Sequence, residues 1–219
     1  MKALVIGNVR IDNPLILAPM AGVTDQPFRR ICHSMGAGLV CMEMVSAKAI
    51  CYKNKNTRDL LLIAPDEHPV SLQLFGSDPD AMAGATRLIE NVPYDILDIN
   101  MGCPVPKVYG NGDGSALMKD PGLVSEVVAA VCSSTRRPVT VKIRAGIDED
   151  HINAPEIARV AEEAGAAAVA VHARTREQFY SGQADWSIIK RVKEAVGIPV
   201  IGNGDISCAD DIKRMYEQT

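Results

Sequence analysis

The chain has 219 residues, a formal net charge of −4, a pI of about 5.6, 47% hydrophobic residues and 23% charged residues. Such a chain has enough apolar residues to fold and can bury one large core or two small ones, which excludes a disordered protein. No apolar run reaches the roughly 18–20 residues of a membrane-spanning helix, and the acidic balance by itself argues against a nucleic-acid-binding surface.

The apolar run Ala3 to Gly7 is too short for a signal peptide, so a cytoplasmic protein is expected. The six cysteines, at 32, 41, 51, 103, 132 and 208, contain no CxxC pair. Neither a zinc site nor any other metal site is expected, and free thiols in a reducing compartment explain most of them.

Residues 4–6 and 9–11 flank Gly7-Asn8 and read as a small hairpin. Residues 15–18 form the first core strand. Thr24 or Asp25 can cap the helix that follows, with Pro27 in its first turn and Gly36 near its end. Strand two spans 39–44 and carries Glu43 near its end. Strand three spans 70–75 and carries Gln73, after which Asp78 caps a helix opened by Pro79.

Strand four is the stretch around which the chain is organised. Ile96, Leu97 and Ile99 make an apolar run that Asn100, Gly102, Cys103 and Pro104 end abruptly. An amide and a thiol in a tight loop past a buried strand suit chemistry better than packing, because ligands bind beyond the carboxyl ends of parallel strands. Residues 107–115 read as a mobile loop able to fold over a substrate. Asp120-Pro121 starts a helix with Val124, Val127, Val128 and Val131 on one face. Strand five spans 138–143, with Lys142 and Arg144 at its end. A helix over 155–164 closes at Gly165, and strand six spans 168–172. Asp185 caps a helix running through Val196. Strand seven spans 198–201, Gly202-Asn203-Gly204-Asp205 follows, and 207–218 start a last helix.

Strand starts recur about every 31 residues, the size of one βα unit. The strands read as continuous apolar runs of a parallel sheet covered on both faces. Gly110, Gly112 and Gly114 have the wrong spacing for a dinucleotide fingerprint, which disfavours a doubly wound sheet. The expected fold is α/β, a TIM (β/α)8-type barrel that is incomplete, with about seven βα units in a single domain over 1–219.

The strand-end motifs are Ala18-Pro19-Met20-Ala21, Glu43-Met44-Val45-Ser46, Gln73-Leu74-Phe75-Gly76, Asp98 to Pro104, Val141-Lys142-Ile143-Arg144, His172 to Arg176, and Gly202 to Asp205. In that order they resemble the tRNA-dihydrouridine synthases, in particular the bacterial B-type branch, from Leu15 to Thr219. The resemblance implies FMN at the top of the barrel, NADPH as electron donor, and reduction of the C5=C6 bond of a uridine in tRNA. It implies that Cys103 gives a proton to C5 while hydride arrives at C6. A thiol with a pKa near 8.5 is mostly protonated at neutral pH and suits that task. Otherwise Cys103 is a small buried apolar residue.

Lys142 inside a barrel needs an anion, which the flavin's pyrimidine edge supplies; the bland alternative is a stem that packs with its head in water. Gln73 offers donors and acceptors to the same edge. The resemblance places Pro19, Met20 and Ala21 against the flavin and makes His172 a flavin or phosphate partner. Gly202, Asn203, Gly204 and Asp205 suit phosphate, since small residues let backbone N–H groups approach. Asn100 is the candidate for orienting uracil. Arg144, Arg174, Arg176 and Tyr180 are candidates for RNA contact or, equally, solvated loop residues. The family continues through an eighth strand with a Gly-Arg pair for the FMN phosphate and a helical tRNA-gripping domain, neither of which lies within these residues. A flavin barrel acting on a free pyrimidine, and a non-catalytic fragment, stand as alternatives.

Overall fold

A computed structural model describes residues 3–55 and 57–219. The hairpin forms as expected, β1 (Leu4–Ile6) against β2 (Val9–Ile11). Seven strands then make one wholly parallel sheet: β3 (Ile16–Leu17), β4 (Leu39–Ser46), β5 (Val70–Phe75), β6 (Ile96–Met101), β7 (Val139–Arg144), β8 (Ala168–His172) and β9 (Val200–Asn203). Their order in space is their order in sequence. The helices on the outside are α1 (Gln26–Ser34), α2 (Ala47–Cys51), α3 (Thr57–Leu60), α4 (Pro79–Leu88), α5 (Pro106–Gly110), α6 (Pro121–Cys132), α7 (Ala154–Glu163), α8 (Trp186–Ala195) and α9 (Ala209–Gln218). No helix among the described residues is long and apolar enough to cross a membrane.

Local chemistry sets the helix starts. The carboxylates of Asp25, Asp78, Asp120 and Asp185 each accept an N–H from the first turn of α1, α4, α6 and α8. Of the two expected caps for α1, Asp25 is the one used.

The sheet curls into an incomplete barrel. Ile16, Cys41, Ser71, Asp98, Thr140, Ala170 and Ile201, one from each strand, line a common cavity of about 50 Å³. The hairpin plugs its floor: Ile6 and Ile11 pack with Leu39, Ile96 and Ala168, at the strand beginnings. Gly7 makes this fit possible. Its φ is +58°, and an added Cβ would lie 2.7 Å from Pro138 Cβ. β3 and β9 are the two edges of the sheet, and an apolar groove of about 550 Å³ runs between Leu15-Ile16 and Val200-Ile201.

Several expectations are corrected. The strands are not apolar on both faces. Their outward residues, such as Leu72, Leu97, Ile99, Val141 and Val169, meet the helices in the main core. Their inward residues above the floor are largely polar: Ser71, Gln73, Asp98, Asn100, Thr140, Lys142, Arg144 and His172. Strand seven lies two residues later than expected, which places Asn203 inside it, opposite His172. The stretch 107–115 is not a loose loop. It runs through most of α5 into the start of a 3-10 turn over Gly114–Lys119, and Ser115 donates through N and Oγ to the Cys103 carbonyl, at 3.1 and 2.8 Å. Helices α2, α3 and α5 were not expected; five residues or fewer are too short to print a periodicity.

Candidate active site

The polar residues on the inner wall converge at the carboxyl end of the sheet. On β6, Asp98 and Asn100 face inward two residues apart, and Cys103 follows in the loop. Asp98 Oδ2 accepts from Gln73 Nε2 at 2.6 Å, and Asp98 Oδ1 accepts from Thr140 Oγ1 at 2.5 Å. Gln73 Oε1 accepts from Asn100 Nδ2 at 2.9 Å. Asn100 Oδ1 accepts from the backbone N–H of Gly102 and of Cys103, at 3.2 and 2.9 Å. With that oxygen occupied twice, Asn100 has one N–H left to offer a ligand.

Cys103 is half-buried, and burial pushes its thiol upward against the opposing pull of a backbone N–H and of the Arg144 and Lys142 charges. It therefore holds its proton at neutral pH.

Lys142 Nζ donates to Asn203 Oδ1 at 3.1 Å, which joins β7 to β9 across the lumen. Burial brings Lys142 down to about 8, with Asp98 opposing. Burial and the nearby charges of Lys142, Arg144 and Arg174 bring His172 down to about 3, so its imidazole is neutral at physiological pH. An acidic protein thus concentrates three cations around a neutral histidine at the mouth of its barrel, an arrangement that favours an anionic or electron-rich ligand.

Burial raises Asp98 from 3.8 to about 6, although Thr140, Gln73 and Lys142 all favour its charged form. The native state thus binds this proton more tightly than the unfolded chain, so Asp98 makes stability fall as pH rises from about 4 to about 6. Above pH 6 the full displacement corresponds to up to about 3 kcal/mol. Asp98→Asn is expected to be more stable than the native chain at pH 8, with the gain vanishing toward pH 4. Weaker attraction for Lys142 opposes it. Urea unfolding at both pH values checks this; equal differences at the two would refute it.

Arg144 and Arg174 are not solvated loop charges. Arg144 is buried and donates to the carbonyls of Gly102, Thr175 and Phe179, each at 2.8 Å. Arg174 donates to Ser181 O and Gly182 O and pairs with Asp205 at 2.7 Å. Both cross-link loops of the mouth. Asp205, expected at a phosphate, also accepts from Ala184 N at 2.7 Å and so ties the loop after β9 to the loop after β8. Gly202 owes its size to packing, since an added Cβ would lie 2.5 Å from Met215 Sδ. Gly204 has φ +117° and sits against His172. Arg176 lies over the Tyr109 ring at 4.2 Å. Tyr180 is 70% exposed, with its ring 6.3 Å from His172 and the Arg144 guanidinium 5.6 Å above it. Pro19 lines the lumen, while Met20 and Ala21 are exposed on the loop above. That loop is tied down by Thr24 Oγ1, which accepts from Met20 N at 3.1 Å, and by Glu43, which accepts from Gly22 N.

Sequence reasoning missed Asp98 and Thr140 as members of the network. The signal was available in the alternation of β6 and β7, where each polar residue is flanked by apolar ones. Among the described residues, no group of three or more His, Cys, Asp or Glu is placed to hold a metal ion.

The family model described as Dihydrouridine synthase (Dus) matches residues 16–219. The chain is 45% identical over 219 residues to tRNA-dihydrouridine synthase B of Pseudomonas syringae pv. tomato, covering all of this chain and 65% of that protein. It is 44% identical over 215 residues to a probable tRNA-dihydrouridine synthase of Rickettsia bellii, covering 98% of this chain and 66% of that protein. The chain therefore spans about two thirds of the length of these relatives. A solved structure of 6-hydroxypseudooxynicotine amine oxidase from Pseudomonas geniculata N1 superimposes with a TM-score of 0.73 over 99% of this chain and 45% of the other. At 14% identity that likeness speaks for the fold alone.

Proposed function

Because this chain belongs to the dihydrouridine synthase family, we propose that it is the cofactor-holding barrel of a cytoplasmic enzyme that reduces the C5=C6 bond of uridine in tRNA to 5,6-dihydrouridine, with FMN as cofactor and NADPH as electron donor. The observation that carries the reading is the half-buried Cys103 thiol, its pKa raised by burial, on a loop held by the Asn100 and Gln73 amides and facing the charges of Arg144 and Lys142.

The donor set suits a flavin. Lys142 and Gln73 would meet its electron-rich pyrimidine edge, His172 and Asn203 would flank it, and Pro19 to Ala21 would cover it. Gly202 to Gly204 would lie toward the phosphate. Bound there and reduced by NADPH, FMN would supply the hydride for C6, and Cys103 would hold the proton that C5 takes up. Asn100, with one N–H to spare, donates to a uracil carbonyl oxygen. Arg144 and Arg174 act from the wall, by charge and by holding the loops around the thiol. Tyr180 and the Arg176–Tyr109 stack present flat surfaces to the RNA. The uridine has to leave its stack to enter the mouth, at a cost of a few kcal/mol. RNA contacts away from the mouth must offset that cost.

The test is an FMN titration of the 219-residue chain followed by fluorescence quenching. Saturable binding that weakens in Gln73→Ala is expected, with dihydrouridine formation in unmodified tRNA well below that of a full-length relative. Binding unchanged in Gln73→Ala would remove the assigned site. Reduction of free uracil with none of tRNA would overturn the substrate.

A further inference from the structure

Two side-chain amides, Gln73 and Asn100, stand in series between the core of the barrel and the Cys103 loop. A side-chain amide is nearly symmetric in shape, so packing does not decide which end is oxygen. Here both ends of the series decide it. At the inner end the Asp98 carboxylate only accepts, so Gln73 must turn its NH2 inward. Its oxygen then faces Asn100, which must turn its own NH2 toward Gln73. At the outer end the N–H groups of Gly102 and Cys103 only donate, so they require the Asn100 oxygen. The two demands agree.

We propose that Asp98 is a positioning residue: from inside the lumen it fixes the direction of the Gln73 and Asn100 amides, and through them the seat of the Cys103 backbone. Asp98 is 6% exposed and lies one layer below Asn100 on β6, so it acts through the two amides. It also leaves Asn100 only an N–H to show a ligand. The consequence for catalysis rests on the dihydrouridine reading; the positioning itself does not.

The experiment measures alkylation of each cysteine by iodoacetamide in the ligand-free 219-residue chain at pH 7.5, resolved by peptide mass spectrometry. Exposed Cys208 is the internal reference. Asp98→Leu removes the acceptor, and Cys103 is expected to react faster relative to Cys208 by about threefold or more, the scale of losing one buried hydrogen bond. Asp98→Asn, which can still present an oxygen to Gln73, should restore the native ratio. Thr140→Val disturbs the same layer, taking the other hydrogen bond from Asp98 while leaving the amide series whole, and should leave Cys103 unchanged. Should Asp98→Leu fail to fold, Gln73→Met breaks the same series and carries the same expectation. The proposal is overturned if Asn at 98 behaves like Leu or Met, or if Thr140→Val accelerates Cys103 equally. Acceleration of Cys41 and Cys132 in step with Cys103 would also sink it, since that marks general loosening. No arm uses flavin or RNA, so a wrong reading of the cofactor leaves the outcome untouched.

Discussion

Lys142→Ala is expected to weaken FMN binding by about ten- to a hundredfold near pH 7, the scale of one charge-assisted hydrogen bond in a desolvated site. The lysine is held inside the lumen by Asn203 and keeps its proton at pH 7, because its pKa of about 8 lies above that. The sign of the pH dependence follows. As pH rises through about 8 the ammonium loses its proton, and affinity for an electron-rich or anionic ligand falls with it. The neighbouring groups do not supply this transition. His172 titrates near 3 and Asp98 near 6, while burial keeps the Cys41 thiol protonated to about 12. FMN affinity of the native chain should therefore fall between about pH 7 and pH 9, and Lys142→Ala should flatten that slope. A titration series over this range reads both effects. An alanine variant with native affinity and native slope would take Lys142 out of the site.

The largest expected effect on stability comes from Glu67→Ala. Arg29 and Glu67 are 3% and 0% exposed and share two hydrogen bonds, at 2.8 and 3.1 Å. Arg29 also donates to Thr24 O and Leu62 O, and Glu67 accepts from Ala64 N. The pair thus joins α1 to the segment that leads into β5. Removing one partner strands a buried charge, which costs about 3–5 kcal/mol. For a chain of this size that lowers the melting temperature by roughly 10 °C. The double change Arg29→Met with Glu67→Leu should recover much of the loss, since the stranded charge disappears. A Glu67→Ala variant within 1 kcal/mol of native by urea unfolding would refute the argument. The thermal effect reaches the site as well, because Thr24 anchors both Arg29 and the Met20 loop.

Much of this protein was legible from its residues. A carboxylate before an apolar face caps a helix through contacts two or three residues long, so Asp78, Asp120 and Asp185 announced α4, α6 and α8 without help from the rest of the chain, and Thr24 or Asp25 announced α1. Repeated βα units implied a parallel sheet for the same local reason. The strand-end motifs identified the family, since a strand's carboxyl end is where a barrel keeps its chemistry. Cys103, Lys142, Gln73 and Asn100 were singled out on that basis and do meet at one mouth.

Pairing across strands was not legible. Asp98 meets Gln73 and Thr140 only because β5, β6 and β7 align in one register, and no residue carries that register in its own type. Arg144 and Arg174 read equally as RNA contacts or as solvated loop residues; only the folded loops after β6 and β8, which offer carbonyls, and the loop after β9, which offers the Asp205 carboxylate, show what holds them. Asp205 was grouped with its glycine neighbours as suited to phosphate, and its residue type did not announce the contacts it makes to Arg174 and Ala184 from a left-handed position at φ +57°. The sequence by itself determined the elements and the residue types available at the mouth, because both depend on interactions a few residues apart. Tertiary structure alone decided which of those groups face a ligand and which hold the others in place, because a buried polar group takes its role from partners distant in the chain.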